Sequence, residues 1–138
     1  MSKPINSREK GAAAEREFAQ LVKDLTGWLL LRNLDQSRGG GYDLLAAEDC
    51  PLNLFAIEIK RHAVVRPHQV AEWWEQATQQ ATRAKKMPLL ACRADRGKWR
   101  VIVPVHWLSG NPHHYGTAEL SLSDFAATII AMTDRPAE

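Results

Sequence analysis

The chain has 138 residues, of which 45% are hydrophobic and 25% charged, with a formal net charge of +2. That is the size and composition of a single soluble globular domain with a genuine core, taken here as residues 1–138, and it excludes a low-complexity chain. No apolar run reaches the length of a membrane span and Met1–Asn6 lacks the apolar core of a signal peptide, so a cytoplasmic location with no membrane partner is expected.

Two further features concern partners. The cysteines, Cys50 and Cys92, fit no metal-binding spacing, and Cys92 reads as a small core residue. All but one of the 18 lysines and arginines precede residue 119, while the last twenty residues are acidic on balance. The main body is therefore more basic than the total suggests, which suits a polyanion without requiring one.

Ser7 to Thr26 reads as a first helix, with Ser7 a possible N-cap and Gly27 the stop. Ala14, Phe18, Leu21 and Leu25 share one face, and Glu15 lies at its margin, where it could look into a cleft or into solvent. Trp28–Asn33 reads as a first strand. A loop over 34–41 follows, with Gln36, Ser37 and Arg38 ahead of three glycines; ordering three glycines is costly, so they serve a tight turn or a close approach. Tyr42–Ala47 is a second strand with Asp43 at its start, and Leu52–Lys60 a third, the two forming an antiparallel hairpin.

Pro67 opens a second helix to about Lys86, with Val70, Trp73, Trp74, Ala77, Ala81 and Ala84 as its apolar stripe. Gln69, Gln76, Gln80 and Arg83 line one margin, as a solvated face or as donors to a phosphate backbone. Pro88–Ala94 and Lys98–Val105 are two more strands around the turn Asp95-Arg96-Gly97, and Arg93, Arg96, Lys98 and Arg100 make this hairpin basic. Trp107–Gly116 reads as a loop with His113 and His114 exposed, Ser121–Met132 as a last helix, and the end from Thr133 as frayed.

The chemistry concentrates at Leu54–Lys60. Side chains two apart on a strand point the same way, so Phe55, Ile57 and Ile59 form an apolar face and Glu58 and Lys60 share the other. A carboxylate and an ammonium on a half-buried strand need partners, and Asp43 on the neighbouring strand is a candidate. Two carboxylates and a lysine on one spot suit a hard divalent cation, a water and a phosphate. A surface Glu–Lys pair on an edge strand accounts for the tripeptide as well.

The order helix, three strands, helix, strand, strand, with Glu15 on the helix, Asp43 opening a strand and Glu58-Ile59-Lys60 on the next, resembles the PD-(D/E)xK nuclease superfamily. Within it the pattern looks most like the archaeal-type Holliday junction resolvases and related phage nucleases. The matching residues are Arg8–Phe18, Arg32, the loop Ser37–Asp43 and Glu58–Lys60, within a span of about 7–105 that leaves 106–138 as an extension. Tyr42 stands where the superfamily pattern has proline. The resemblance implies an α/β, restriction-endonuclease-like αβββαβ core, a mixed central sheet flanked by helices.

It further implies that Asp43, Glu58 and the Ile59 carbonyl ligate Mg²⁺ or Mn²⁺, with Glu15 completing the cluster. Lys60 would act on the attacking water or the scissile phosphate, and Gln76 would stand near the lysine. Arg16, Arg32, Ser37, Arg38, Gln80 and Arg83 are candidate DNA contacts. The implied function is metal-dependent hydrolysis of DNA phosphodiesters, of four-way junctions by preference, by a homodimer. A different nuclease of this fold, or a non-catalytic DNA-binding module, is the alternative.

Overall fold

The computed structural model describes residues 7–34 and 41–133. Helix α1 (Ser7–Thr26) is followed by strands β1 (Leu30–Arg32), β2 (Leu44–Ala46) and β3 (Phe55–His62), then α2 (Pro67–Ala84), β4 (Met87–Ala94), β5 (Arg100–Pro104), a short α3 (Val105–Ser109), β6 (Thr117–Ser121) and α4 (Leu122–Thr133). The six strands form one sheet in sequential order. Neighbours are antiparallel except β3 and β4, whose parallel pairing is made possible by the α2 crossover between them.

The alternation along β3 assigns the two faces. Phe55, Ile57 and Ile59 join Ala14, Phe18 and Val22 of α1 and Phe125 and Ile129 of α4 in the main core, along with Leu89, Ala91, Val101 and Val103. Ala56 lies on the other face with Tyr42 and Ala81, while Trp73 and Ala77 pack on Leu90, Cys92 and Ile102. Tyr42, standing in place of proline, thus fills space beneath α2. Trp73 is buried and Trp74 half-buried, as a stripe facing a sheet requires.

Four expectations need correction. Leu52–Leu54 is not the start of β3 but part of a 3-10 turn, Pro51–Leu54, with Leu52 fully buried beneath it. Pro51 stands in that turn, and Phe55 is the first residue in register with β4. Second, α2 ends at Ala84, because Lys85 adopts a left-handed conformation (φ 58°) and closes the helix. Third, Val105 opens helix α3 instead of ending a strand, and 107–109 continue that helix instead of opening a loop, seating Trp107 edge-on against Phe55 at 5.2 Å. Fourth, Ser121 ends an edge strand, Thr117–Ser121, paired with β5, instead of opening the last helix; the alternation of exposed and half-buried residues on this short polar stretch hides it from an apolar-pattern reading. Among the described residues no helix is long and apolar enough to cross a membrane.

Helix α1 is also fastened by charge. Glu17 accepts hydrogen bonds from Arg93 Nε (2.9 Å) and Nη2 (3.0 Å) and from Trp99 Nε1 (2.9 Å), and lies 3.5 Å from Arg61 Nη1. Burial pushes the Glu17 pKa up, but the hydrogen bonds of Arg93 and Trp99 and the charges of Arg93 and Arg61 outweigh it and hold it below the ordinary value. Asp95 in turn holds Lys10 at 3.0 Å and Arg61 at 3.2 Å. Of the hairpin arginines, Arg93 is thus committed to Glu17, and Arg100 to Glu119 at 2.8 Å.

A carboxylate with a lowered pKa stabilises the fold above its unfolded value of 4.5 and loses that contribution as pH falls through the folded value. Glu17→Ala, which leaves a largely buried Arg93 with only the Ala94 and Asp95 carbonyls to accept from it, is expected to cost about 1–2 kcal/mol at pH 7. The gap to wild type should shrink as pH falls below 4.5 through the lowered folded value. Urea midpoints at the two pH values measure it, and equal midpoints at pH 7 would assign α1's attachment to the apolar core alone.

Candidate active site

Strand β2 is three residues long and β3 eight, so β3 outruns its neighbour. The last ladder pair is Leu44 with Ile57, and Asp43 N–H donates to the Ile57 carbonyl at 2.8 Å. Beyond it Asp43 Oδ2 accepts from Ile59 N–H at 2.8 Å. A side-chain carboxylate thereby stands where a strand partner's carbonyl would. This leaves a notch at the edge of β3, and since N–H and C=O of one strand residue face the same side, the Ile59 carbonyl looks into it too.

The notch opens into a cleft of about 390 Å³ lined by Lys10, Gly11 and Glu15 of α1, by Asp43, and by Glu58 to Ala63. Sequence and structure agree on Glu15, Asp43, Glu58, Ile59 and Lys60 as neighbours. Glu58 is the one buried charged residue among those described, 4% exposed. Its Oε1 lies 3.5 Å from Lys60 Nζ, and its Oε2 is buried with no hydrogen-bond partner. Burial first, then the negative charge of Asp43, pushes the Glu58 carboxyl up to about 8; Lys60 opposes this and Glu15 adds to it.

A buried carboxylate oxygen without a partner is rare and points to a missing positive group. The donor set fits a hard divalent cation: Glu58 and Asp43 carboxylates with a backbone carbonyl and water, all oxygen. Among the described residues no three His, Cys, Asp or Glu side chains converge into a complete ligand set, so water and backbone would supply the rest. Glu15, the third acid, is engaged elsewhere, since Arg32 Nε donates to its Oε2 at 2.6 Å.

Other expected positions lie apart from the cleft. Gln76 and Arg83 are exposed on α2, and Gln80 buries its amide oxygen without a partner; none of the three lines the cleft. Arg16 is exposed and lines an adjoining hollow with Lys10, Arg61 and Asp95. Ser37 and Arg38 lie outside the described residues. His113 and His114 are exposed, as the loop reading has it. Lys10, Gly11 and Arg61 line the cleft without having been given a role from sequence. Gly11 carries a signal that could have found it, since it stands four residues before Glu15 on the same helix.

The chain matches the family described as "Phage putative PDDEXK endonuclease" over residues 6–132. Its fold is similar to that of Archaeoglobus fulgidus Hjc, a Holliday junction resolvase from an archaeal hyperthermophile. The TM-score is 0.52 at 20% identity, over 86% of this chain and 96% of that one. A comparison with the curated proteins found no match.

Between about pH 4.5 and about 8 the folded protein keeps on Glu58 a proton that the unfolded chain releases, so stability falls as pH rises through that window. Glutamine at this position has no proton to lose. Glu58→Gln should therefore gain on wild type steadily from pH 5 to pH 8 and level off above, read as urea midpoints in chelator. A pH-independent difference between the two proteins would return Glu58 to the ordinary carboxyl range.

Proposed function

The chain belongs to the family of phage PDDEXK endonucleases, and from that premise we propose that it is a divalent-metal-dependent DNA endonuclease whose preferred substrate is branched, four-way-junction DNA. The observation that carries the metal-dependent reading is the buried, partnerless Oε2 of Glu58 in a cleft shared with Asp43, the Ile59 backbone and Lys60. The likeness of fold to an archaeal Holliday junction resolvase supports the junction preference. Symmetric cutting of two strands needs two such sites, so the working form is a homodimer.

In this mechanism Asp43, Glu58 and the Ile59 carbonyl would hold the cation, Mg²⁺ or Mn²⁺, and Glu15 would complete the acidic cluster if a phosphate drew Arg32 off it. The cation, when bound, lowers the pKa of water and offsets charge on the phosphate oxygens. Asp43 is oriented for this by the Ile59 N–H, which donates to its Oδ2. Loss of the Glu58 proton accompanies metal binding, because only the carboxylate is a ligand. Lys60, 3.5 Å from Glu58, orients the attacking water and stabilises the charge gathering on the phosphate. The water oxygen bonds to phosphorus and gives up a proton to solvent as the P–O bond to the leaving group breaks, and the departing oxygen takes a proton from solvent, leaving a phosphate monoester and an alcohol. Arg16 and Arg32, Gln80 and Arg83 on α2, and Ser37 and Arg38 outside the described residues, are the proposed DNA contacts. Gln76 stays a candidate near the lysine only if α2 shifts when DNA binds.

Labelled four-way junction, linear duplex and single-stranded DNA, each with Mg²⁺, Mn²⁺ or EDTA, test the reading. Paired symmetric nicks confined to the junction are expected. Cutting of linear or single-stranded DNA would retain the chemistry and remove the junction preference, and binding without cutting in any metal would make the protein a binding module. Asp43→Asn and Glu58→Gln should abolish cleavage and keep DNA binding. Lys60→Ala should lower turnover by about 10²–10⁴-fold while metal affinity, read by calorimetry, stays near wild type. Lost metal binding in that variant would make the lysine a structural residue.

A further inference from the structure

The buried stripe of α1 runs Ala14, Phe18, Val22, and three residues before Ala14 the same helical face carries Gly11, which is exposed. An apolar side chain is what the pattern calls for there. Glycine is, after proline, the poorest residue for a helix interior. Neither usual reason for tolerating it applies: Gly11 has no left-handed backbone angle, and a Cβ built on it meets nothing within 4 Å. The space beneath is the cleft, because at this point α1 overhangs the notch beside β3 instead of the sheet.

The neighbours of that bare backbone are chemical. Glu15 stands one turn along on the same side, and across the cleft lies Glu58 with its buried, partnerless oxygen. Lys10 lines both the cleft and the adjoining hollow that holds Arg16 and Arg61. It is held on the rim by Asp95, with Nζ 3.0 and 3.1 Å from the two carboxylate oxygens. We propose that the DNA strand in the cleft packs its sugar-phosphate backbone directly against α1 at Gly11, and that Lys10 takes the phosphate neighbouring the scissile one. The glycine is a space-keeping position: it lets a backbone approach a helix more closely than any side chain allows. Lys10 exchanges part of its contact with Asp95 for the phosphate. This rests on the reading that the substrate is DNA.

The test exploits opposite signs. Gly11→Ala should raise the melting temperature by about 2–4 °C, since alanine is the better helix former and nothing crowds its methyl. The same variant should bind four-way junction and duplex at least tenfold more weakly than wild type, by fluorescence anisotropy in EDTA. Lys10→Gln should weaken binding about fivefold and lower the slope of log affinity against log salt by about one. A more stable Gly11→Ala that binds DNA as wild type does would overturn the close approach, and an unchanged salt slope in Lys10→Gln would overturn the phosphate contact. Wild type that binds no DNA at all would fail differently, removing the DNA substrate and this inference together.

Discussion

The hydrogen bond from Ile59 N–H to Asp43 Oδ2 is the contact on which the site depends. It ends a sheet pairing without leaving a backbone donor orphaned, which buried structure does not tolerate. Because a carboxylate takes over from a carbonyl at that point, β2 can turn away while β3 continues, and the edge of β3 becomes the wall of a cleft. The same bond fixes where one acidic group stands relative to the next two side chains on β3. Strand alternation then does the remainder: Ile57 and Ile59 are pinned in the main core, so Glu58 and Lys60 have no choice of face.

Such a site is unfavourable in the protein alone. Glu58 is buried beside two other acids, and a raised carboxyl pKa is the thermodynamic record of that cost. The compensation is distributed at a distance, in two packed faces and in the Glu17 network that ties α1 to Arg93, Trp99 and Arg61. That network has the opposite electrostatic sense, a carboxylate held charged by cations and a tryptophan N–H. Two acids on this chain, Glu17 on α1 and Glu58 on β3, therefore carry shifts of opposite direction, the first supporting the fold and the second costing it.

Much of this was legible in the sequence, for reasons that differ by residue. Helix α1, the β2–β3 hairpin and the shared face of Glu58 and Lys60 follow from periodicity, which is local information. The closeness of Asp43 to Glu58 follows from the hairpin alone. What escaped the sequence depends on distant partners or weak patterning. The edge strand β6 is short, half-exposed and polar, and only its pairing with β5 makes it a strand. The 3-10 turn at Pro51–Leu54 looked like strand because its leucines are apolar, though only Leu52 is buried. Glu17 looked like any helix-surface acid, since its partners Arg93 and Trp99 are some eighty residues away in the chain.

The division of labour along α1 explains why one helix can serve both stability and chemistry without conflict. Its stripe residues Ala14, Phe18 and Val22 are each 1% exposed, so the helix cannot rotate about its axis without opening the main core. Glu17 and Lys10, bound to Arg93 and Asp95, resist sliding along that axis. With rotation and translation both fixed, the positions of Gly11 and Glu15 relative to β3 are fixed as well, though neither contributes to the core. What can adjust at the cleft is then a side chain such as Glu15, held by Arg32 at 2.6 Å across an ion pair whose arginine is 43% exposed. A phosphate competing for that arginine would free the carboxylate as substrate arrives, and the negative charge so released beside Asp43 and Glu58 would add to the demand for a cation there.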